Sequence, residues 1–258
     1  MPRKFRFGVQ ISRAPSGDEW AEKARKVEDL GYSTLFVPDH FDNQFAPIPA
    51  LMRAADATST LQLGALVLDN DYRHPLVLAK ELATLDVLSG GRTVVGLGAG
   101  WMRSDYEQSG IAYESASIRI ARMAEALKII KGLFADGSFS FSGRYYNIAN
   151  HEGTPKPVQK PHPPILVGGG GKRVLTIAAQ EADIVGVNFS LAEGTVNPRV
   201  AATGTAEATA RKIAWIRDAA PERFDELELN VTVFFCVVTD DREGTAGRIA
   251  QGFGLTGS

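Results

Sequence analysis

Cysteine is almost absent from this sequence, and the usual metal-binding patterns are absent as well. Cys236 is the only cysteine among 258 residues, so neither an internal disulfide nor a cysteine-rich zinc site can form. It lies in the apolar run 229–238, where a buried and unreactive thiol is expected. No set of histidine, aspartate and glutamate residues has the spacing of metal ligands, and no metal site is predicted.

Long apolar runs and an excess of charge are also lacking. No apolar stretch reaches 18 residues, and the first ten residues carry no apolar core of a signal peptide. We therefore expect a cytoplasmic, soluble protein that does not enter a membrane. The net charge is −2 and no basic run stands out, so nucleic acid is not expected as a partner.

Short apolar runs alternate with helix-period segments along most of the chain, which indicates parallel strands buried on both faces. Seven strand–helix units in about 240 residues suit a (β/α)₈ TIM barrel better than an open doubly wound sheet. No eighth strand is predicted, so the first and seventh strands should have exposed edges. The predicted strands span 5–11, 33–37, 61–68, 93–97, 165–167, 183–187 and 229–238.

Two segments interrupt this alternation within a single predicted domain, residues 1–258. Residues 138–147 alternate serine with aromatic residues and predict a small hairpin. Residues 188–204 are polar and contain glycine, proline and threonine, which is typical of a mobile loop.

An aspartate and a histidine follow the second predicted strand. Pro38 ends the strand, and Asp39 and His40 come next. Side chains just past the carboxyl end of a buried parallel strand face the region where α/β folds bind ligands. An acid beside a histidine can act there as an acid/base device. A helix cap or a loop salt bridge is the alternative explanation of the same two residues.

Four consecutive glycines, Gly168–Gly171, follow the fifth predicted strand and precede Lys172 and Arg173 at a helix start. Glycines permit positive φ and close backbone approach, and backbone amides at a helix N-terminus bind anions. The segment predicts a phosphate site. A loose turn without a ligand is the alternative.

A second glycine-rich segment, Gly96-Leu-Gly-Ala-Gly100, ends the fourth predicted strand. It is not a dinucleotide fingerprint, because Trp101 stands where that pattern requires glycine. Small residues at this point would let a flat ring lie against the strand end. Packing within the protein could also explain them.

Six segments in order resemble the bacterial luciferase-like family, in particular its branch of oxidoreductases that use coenzyme F420, a 5-deazaflavin. The resemblance runs from residue 5 to about residue 240 and implies a (β/α)₈ barrel with the cofactor across the carboxyl ends of the strands. It also implies a homodimer. The segments are residues 37–41, 63–68, 73–75, 83–92, 96–101 and 164–171.

The resemblance implies a role for each candidate residue. His40 would be the acid/base beside the ring, and a non-proline cis peptide would join Leu66 and Val67 in contact with it. The other implied cofactor-binding residues are Asp39, Asp69 near the ring edge, Ala99 and Gly100 after strand four, and Gly168, Gly169, Gly170 and Gly171 around the phosphate.

Trp101 departs from the family pattern. Sugar-phosphate dehydrogenases of this family carry a catalytic glutamate at that position, so their reaction is not favoured here. Asp105 and Glu107 lie nearby but out of register. His40 is therefore expected to lack the family's carboxylate partner.

The leading functional hypothesis is hydride transfer between coenzyme F420 and a small organic substrate. An FMN-dependent monooxygenase is the first alternative, since both cofactors present a flat tricycle and a phosphate. A noncatalytic flavin-binding protein on the same barrel is the second.

Overall fold

A computed structural model describes residues 4–191, 194–195, 197–234 and 236–252. The strands in these residues are β1 (Gly8–Gln10), β2 (Thr34–Val37), β3 (Gln62–Ala65), β4 (Leu68–Asp69), β5 (Thr93–Gly98), β6 (Phe139–Ser142), β7 (Asn147–His151), β8 (Ile165–Gly169), β9 (Ile184–Val187) and β10 (Glu228–Val231).

The helices in these residues are α1 (Gly17–Asp29), α2 (Pro47–Ala57), α3 (Pro75–Leu88), α4 (Arg103–Ser109), α5 (Ala116–Phe134), α6 (Lys172–Glu181), α7 (Pro198–Ala201), α8 (Ala206–Ala219) and α9 (Arg242–Gly252). Of these, α1, α2, α3, α5, α6 and α8 contribute buried residues that pack against the sheet. None of the described helices is long and apolar enough to cross a bilayer.

The main sheet is parallel throughout and runs in the order β1-β2-β3-β5-β8-β9-β10, with β4 paired to β5. This order confirms the predicted βα barrel topology. In the described part of the chain no strand pairs with the outer edges of β1 and β10, so the barrel is a curled, open sheet. The predicted hairpin is also confirmed, as β6 paired with β7.

Strand side chains alternate between the helix layer and the interior of the curl. On β5, Val95 packs toward the helices, whereas Val94 joins Phe36, Leu166 and Ile184 in an interior cluster. Successive side chains of a strand point to opposite faces of the sheet. Both faces of this parallel sheet are buried, so apolar residues are needed on both.

Glycines on the neighbouring strands leave room for the Phe36 ring. A Cβ atom added at Gly8 would lie 2.9 Å from this ring, and one added at Gly64 would lie 3.2 Å from it. Gly8 is on β1 and Gly64 on β3, the two neighbours of the strand that carries Phe36. The Phe36 ring therefore occupies interior space that side chains at Gly8 and Gly64 would otherwise fill.

Arg6 joins the amino-terminal ends of the two edge strands. Its guanidinium donates to the Glu228 carboxylate at 2.9 and 2.7 Å and to Gln62 Oε1 at 2.9 Å. Arg6 precedes β1 and Glu228 begins β10. The curl of the sheet therefore brings its two edge strands close enough for the Arg6 side chain to bridge the gap between them. Farther along the edges, Phe7 and Val231 are 68% and 62% exposed, as the missing strand predicts.

Two predictions near the carboxyl terminus need correction. The seventh strand ends at Val231 instead of Val238, because its partner strand β9 ends at Val187, which is paired with Val231. Cys236 therefore lies outside the sheet and is exposed, so the prediction of a buried thiol is wrong.

The predicted loop 188–204 is partly regular structure. Pro198–Ala201 forms α7, and a 3₁₀ turn follows at Ala202–Gly204. Pro198 occupies the first helical position, where its missing amide hydrogen costs nothing. Ala192, Glu193 and Val196 of this loop lie outside the described residues.

Glu28 near the end of α1 holds the turn before β3. Its Oε1 accepts hydrogen bonds from the backbone amides of Ser59, Thr60 and Leu61 at 2.9, 2.6 and 2.9 Å. Burial alone would raise the pKa of this carboxyl, but the hydrogen bonds outweigh burial and lower the pKa from 4.5 to about 2. The ionised form therefore stabilises the junction.

We expect Glu28→Gln to lower the free energy of unfolding at pH 7 by about 1–2 kcal/mol, because charge-assisted hydrogen bonds are lost. Since the native pKa lies near 2 instead of 4.5, this contribution is present above pH 4.5 and disappears as the pH falls toward 2. Urea unfolding at pH 7 and pH 2.5 measures the difference. Glu22→Gln, on the exposed face of the same helix, is the control. An equal loss at both pH values would contradict this account.

Candidate functional site

The predicted site residues come together at one edge of the sheet. Because the strands are parallel, the carboxyl ends of β2, β4, β5 and β8 meet there. The residues at this edge are Asp39 and His40 after β2, Leu66 and Val67 before β4, Asp69 at its end, Ala99 and Gly100 after β5, and Gly168–Gly171 at the end of β8.

Asp39 ties the end of β2 to β4. Its carboxylate accepts two hydrogen bonds from the Arg73 guanidinium, at 2.6 and 3.1 Å, and a third from the Asp69 amide at 3.0 Å. The Asp39 side chain is buried, and the bidentate arginine compensates its charge. Both oxygens are engaged within the chain, and the cofactor contact implied for Asp39 remains a prediction.

His40 has a carboxylate partner after all. Its Nδ1 lies 2.7 Å from Oδ2 of Asp105, a buried residue in the first turn of α4. Trp101 still occupies the position of the family's glutamate, but Asp105, which the sequence places out of register, supplies a carboxylate to His40. Asp105 reaches the histidine from a helix instead of from the strand end.

The path of residues 101–110 explains why this contact was missed. α4 begins at Arg103, and Gly110 ends it in the left-handed conformation, at φ 75°. The helix brings the chain back to the end of β2, where Asp105 meets His40. Counting residue positions from the end of β5 does not reveal this change of direction. A glycine just after a short polar segment is the one signal that could have predicted the helix end.

Aromatic side chains surround the His40–Asp105 pair. The Tyr72 hydroxyl donates to Asp105 Oδ2 at 3.0 Å, and the Trp101 ring meets the His40 ring edge-on, with centroids 5.6 Å apart. Phe41, which is 49% exposed, lies against Tyr72 at 4.4 Å between ring centroids. The immediate surroundings of His40 are therefore largely apolar, apart from Asp105 and the Tyr72 hydroxyl.

His74 takes no part in this group. It caps α3, accepting a hydrogen bond from the Leu76 amide at its Nδ1, 3.2 Å away. His74 therefore has a capping role, while its neighbour Arg73 belongs to the site through Asp39.

A second group of carboxylates lies beside the first. The Tyr106 hydroxyl is within 3.1–3.2 Å of both Asp69 oxygens and 3.1 Å from Asp71 Oδ2. Arg122 donates to both Asp71 oxygens at 2.8 and 2.9 Å. Within the described residues, no three histidine, cysteine or acidic side chains are grouped to hold a metal ion.

Asp69 has no cation of its own in this network. Burial, with the charges of Asp71 and Asp39, raises the pKa of Asp69 from 3.8 to about 7. Burial also raises the pKa of Tyr106 above its usual range, with the charges of Asp69 and Asp71 adding to the effect, so the hydroxyl stays a donor. Asp69 therefore changes charge near neutral pH at the end of β4.

We expect Asp69→Asn to become more stabilising relative to the wild type as the pH rises. Because the pKa of Asp69 is raised in the folded state, the folded protein keeps a proton that the unfolded chain releases above pH 3.8. The free energy of unfolding of the wild type therefore falls between about pH 4 and 7. Asparagine mimics the protonated carboxyl and avoids this loss. Urea unfolding at pH 5 and pH 8 measures the change.

Asp18→Asn, which removes a carboxylate that is 95% exposed, is the matched control. An Asp69→Asn difference of the same size at pH 5 and pH 8 would contradict the assigned titration of Asp69.

The glycine at position 100 is required by the protein's own packing. A Cβ atom there would lie 1.8 Å from the Tyr106 hydroxyl and 2.5 Å from Asp69 Oδ2, and φ is +74°. Arg119, which is buried, donates to the carbonyl oxygens of Ala99 and Gly100 at 3.2 and 3.3 Å and fixes this turn. The cofactor contacts implied for Ala99 and Gly100 remain predictions.

Leu66 and Val67 are joined by a cis peptide bond, as the resemblance implied. The Val67 side chain lies over the strand-end glycines: a Cβ atom would approach it to 2.5 Å at Gly98 and 3.3 Å at Gly168. Both residues pack on the interior cluster of the barrel. Val67 thus caps the interior where the predicted ring would lie.

The four-glycine segment differs from the prediction in its backbone. Gly168 and Gly169 continue β8, and none of the four glycines has positive φ. Close approach, the other property expected of these glycines, is needed at two of them: a Cβ atom at Gly169 would lie 2.2 Å from Val174, and one at Gly170 would lie 2.0 Å from the Phe189 carbonyl oxygen.

Gly171 is different from its neighbours. A Cβ atom there would meet nothing within 4 Å, and Gly171 precedes α6 without a side-chain cap. No side-chain cap is recorded for the first turn of this ten-residue helix, and Lys172 and Arg173 are exposed beside it. Such an end can accept an anion.

Comparison with known proteins agrees with the predicted family and fold. The family model described as luciferase-like monooxygenase matches residues 4–254. The FMNH(2)-dependent dimethylsulfone monooxygenase of Pseudomonas putida is 31% identical over 59% of this chain and 42% of its own. The F420-dependent glucose-6-phosphate dehydrogenase of Amycolatopsis mediterranei is 29% identical over 69% of this chain and 56% of its own. The chain spans about half the length of these curated relatives.

Among solved structures, the coenzyme F420 dependent tetrahydromethanopterin reductase of Methanopyrus kandleri superposes with a TM-score of 0.75. It is 23% identical, and the match covers 92% of this chain and 68% of that one. At this identity the superposition establishes the fold and nothing further.

Proposed function

The chain belongs to the luciferase-like monooxygenase family, and we propose that it is an oxidoreductase that transfers a hydride between coenzyme F420 and a small organic substrate. The observation that carries this proposal is the His40–Asp105 pair, 2.7 Å apart, at the carboxyl edge of the sheet. A histidine oriented by a carboxylate can move the proton that accompanies a hydride.

The residues at this edge fit a flat ring with an attached phosphate. Val67 offers an apolar surface beside Gly98 and Gly168, two strand-end residues that carry no side chain themselves. The uncapped start of α6 at Gly171, with two exposed cations, suits the phosphate. When bound, the cofactor supplies the acceptor or donor of the hydride.

His40 handles the proton. If an alcohol is oxidised, the carbon loses a hydride and the oxygen loses a proton, and His40 Nε2 accepts that proton. In the reverse reduction of a carbonyl, the same nitrogen returns it to the oxygen. Trp101 and Tyr72 shield this position from water and support the orientation of the imidazole and its partner.

The charges around His40 favour an uncharged substrate. Four carboxylates lie at this edge, Asp39, Asp69, Asp71 and Asp105, whereas Arg73 and Arg122 are each held by one of them. An anionic substrate would be repelled here. Trp101 and Phe41 provide apolar surface instead, which suits a carbonyl or alcohol with an apolar body better than a sugar phosphate.

Titration of the purified protein with oxidised F420 and with FMN, followed by fluorescence quenching, tests the cofactor. We expect saturable quenching with F420 and a dissociation constant at least tenfold higher for FMN. Turnover is then measured with F420 and a panel of secondary alcohols, ketones and α,β-unsaturated ketones. Tight F420 binding without turnover on any of them would favour the noncatalytic alternative.

An FMN-dependent monooxygenase is the second candidate, favoured by the 31% identity to the Pseudomonas putida enzyme. This function predicts tighter binding of FMN than of F420 and consumption of oxygen with reduced FMN. Either result would overturn the F420 proposal.

We expect His40→Ala to lower turnover by about 10²–10⁴-fold, the usual contribution of a general acid or base. The dissociation constant for F420 should change little, because the substitution removes the proton carrier and leaves Val67 and the α6 N-terminus in place. His151→Ala, at an exposed position on the hairpin, is the control. Unchanged turnover in His40→Ala would exclude His40 from catalysis.

We expect Gly171→Asp to raise the dissociation constant for F420 at least tenfold, by placing a negative charge at the proposed phosphate site. φ is −94° and a Cβ atom meets nothing there, so the backbone tolerates a side chain. Gly171→Asn has nearly the same size without the charge and should bind F420 nearly as the wild type does. Equal affinities for the aspartate and asparagine variants would show that no phosphate binds at this helix end.

A further inference from the structure

Asp105 receives two hydrogen bonds on one oxygen from two different parts of the chain. His40 Nδ1 lies 2.7 Å and the Tyr72 hydroxyl 3.0 Å from Asp105 Oδ2. The Asp105 side chain is only 4% exposed, and its amide donates to the Met102 carbonyl in the first turn of α4. Its position is therefore fixed by the helix, by the end of β2 and by the turn after β4.

The chemistry of this arrangement determines which nitrogen of His40 carries the proton. A carboxylate only accepts hydrogen bonds, so the hydrogen between Asp105 and His40 belongs to Nδ1. Nε2 makes no hydrogen bond to the described part of the chain, and the imidazole is 21% exposed. In the neutral ring Nε2 is then an acceptor directed away from Asp105, which is the state needed to take a proton from a substrate.

The other groups that face His40 do not provide this restraint. Asp39, its neighbour in sequence, is engaged by Arg73 and by the Asp69 amide. Trp101 meets the ring edge-on and limits its rotation, but it offers no acceptor.

We propose that Asp105, held in place by Tyr72, is a positioning residue that fixes His40 as the Nδ1–H tautomer and so presents Nε2 to the substrate. This inference rests on the proposed function for its catalytic consequence. Its structural content concerns the protein alone and can be tested without any cofactor.

The tautomer can be read by ¹⁵N–¹H correlation of the imidazole nitrogens in ¹⁵N-histidine-labelled protein, at a pH at which the ring is neutral. The chain has four histidines, and loss of one signal set in His40→Gln assigns His40. We expect a protonated Nδ1 and an unprotonated Nε2 in the wild type. Asp105→Ala should shift the proton largely to Nε2, while Glu107→Ala, an exposed carboxylate on the same helix, should leave the spectrum unchanged.

The kinetic counterpart uses F420 with the substrate identified by the panel above. We expect Asp105→Ala to lower kcat at least tenfold with little change in KM, and Asp105→Glu to restore part of the loss. Asp105→Asn, nearly isosteric with the wild type, replaces Asp105→Ala if the latter does not fold, and it should lower the fraction of the Nδ1–H tautomer.

The inference is overturned if His40 keeps its tautomer in folded Asp105→Ala or Asp105→Asn protein, or if Asp105→Ala and Glu107→Ala have the same kcat. A tautomer change in a protein that turns over neither with F420 nor with FMN would reject the proposed function and leave the positioning of His40 intact. An unchanged tautomer in an Asp105 variant of an active enzyme would reject the positioning of His40 by Asp105 and leave the proposed function intact.

Discussion

The strands of the main sheet all run in the same direction, and this constraint gathers the chemistry at one edge. β2, β4, β5 and β8 each end there, so residues as far apart in sequence as His40 and Gly171 face the same region. The parallel arrangement is possible because helices cover the outer face and Phe36, Val94, Leu166 and Ile184 fill the inner one. The gap between β1 and β10 does not affect the strand ends that carry the site, because the strands between them are paired on both sides. These strands are β2, β3, β5, β8 and β9.

Buried carboxylates at this edge are satisfied in different ways, and the differences separate their roles. The charge of Asp39 is compensated by Arg73, and that of Asp71 by Arg122. Asp39 also links the end of β2 to β4 through the Asp69 amide. Asp105 is bound to His40 and Tyr72 and remains coupled to a group that can exchange a proton. Asp69, which lacks a cation, avoids the cost of a buried charge through a pKa raised to about 7.

Much of the fold and part of the site could be predicted from the sequence, because both depend on local pattern. The βα alternation comes from apolar runs of strand length, and Asp39 and His40 follow a strand that Pro38 ends. The limits of prediction are also physical. The partner of His40 depends on how α4 folds back after Trp101, and the exposure of Cys236 depends on where the pairing of β9 with β10 ends. The glycines after Val167 were predicted to permit both positive φ and close backbone approach; none of them has positive φ, and two of them allow close contact with Val174 and Phe189.

A crystal structure of the protein with F420 bound tests the central claim most directly. The account predicts the deazaflavin at the carboxyl edge, with its ring against Val67, its phosphate at the first turn of α6, and His40 Nε2 facing the ring while Nδ1 stays on Asp105. A cofactor bound elsewhere, or a His40 that has left Asp105 to contact the phosphate, would contradict it.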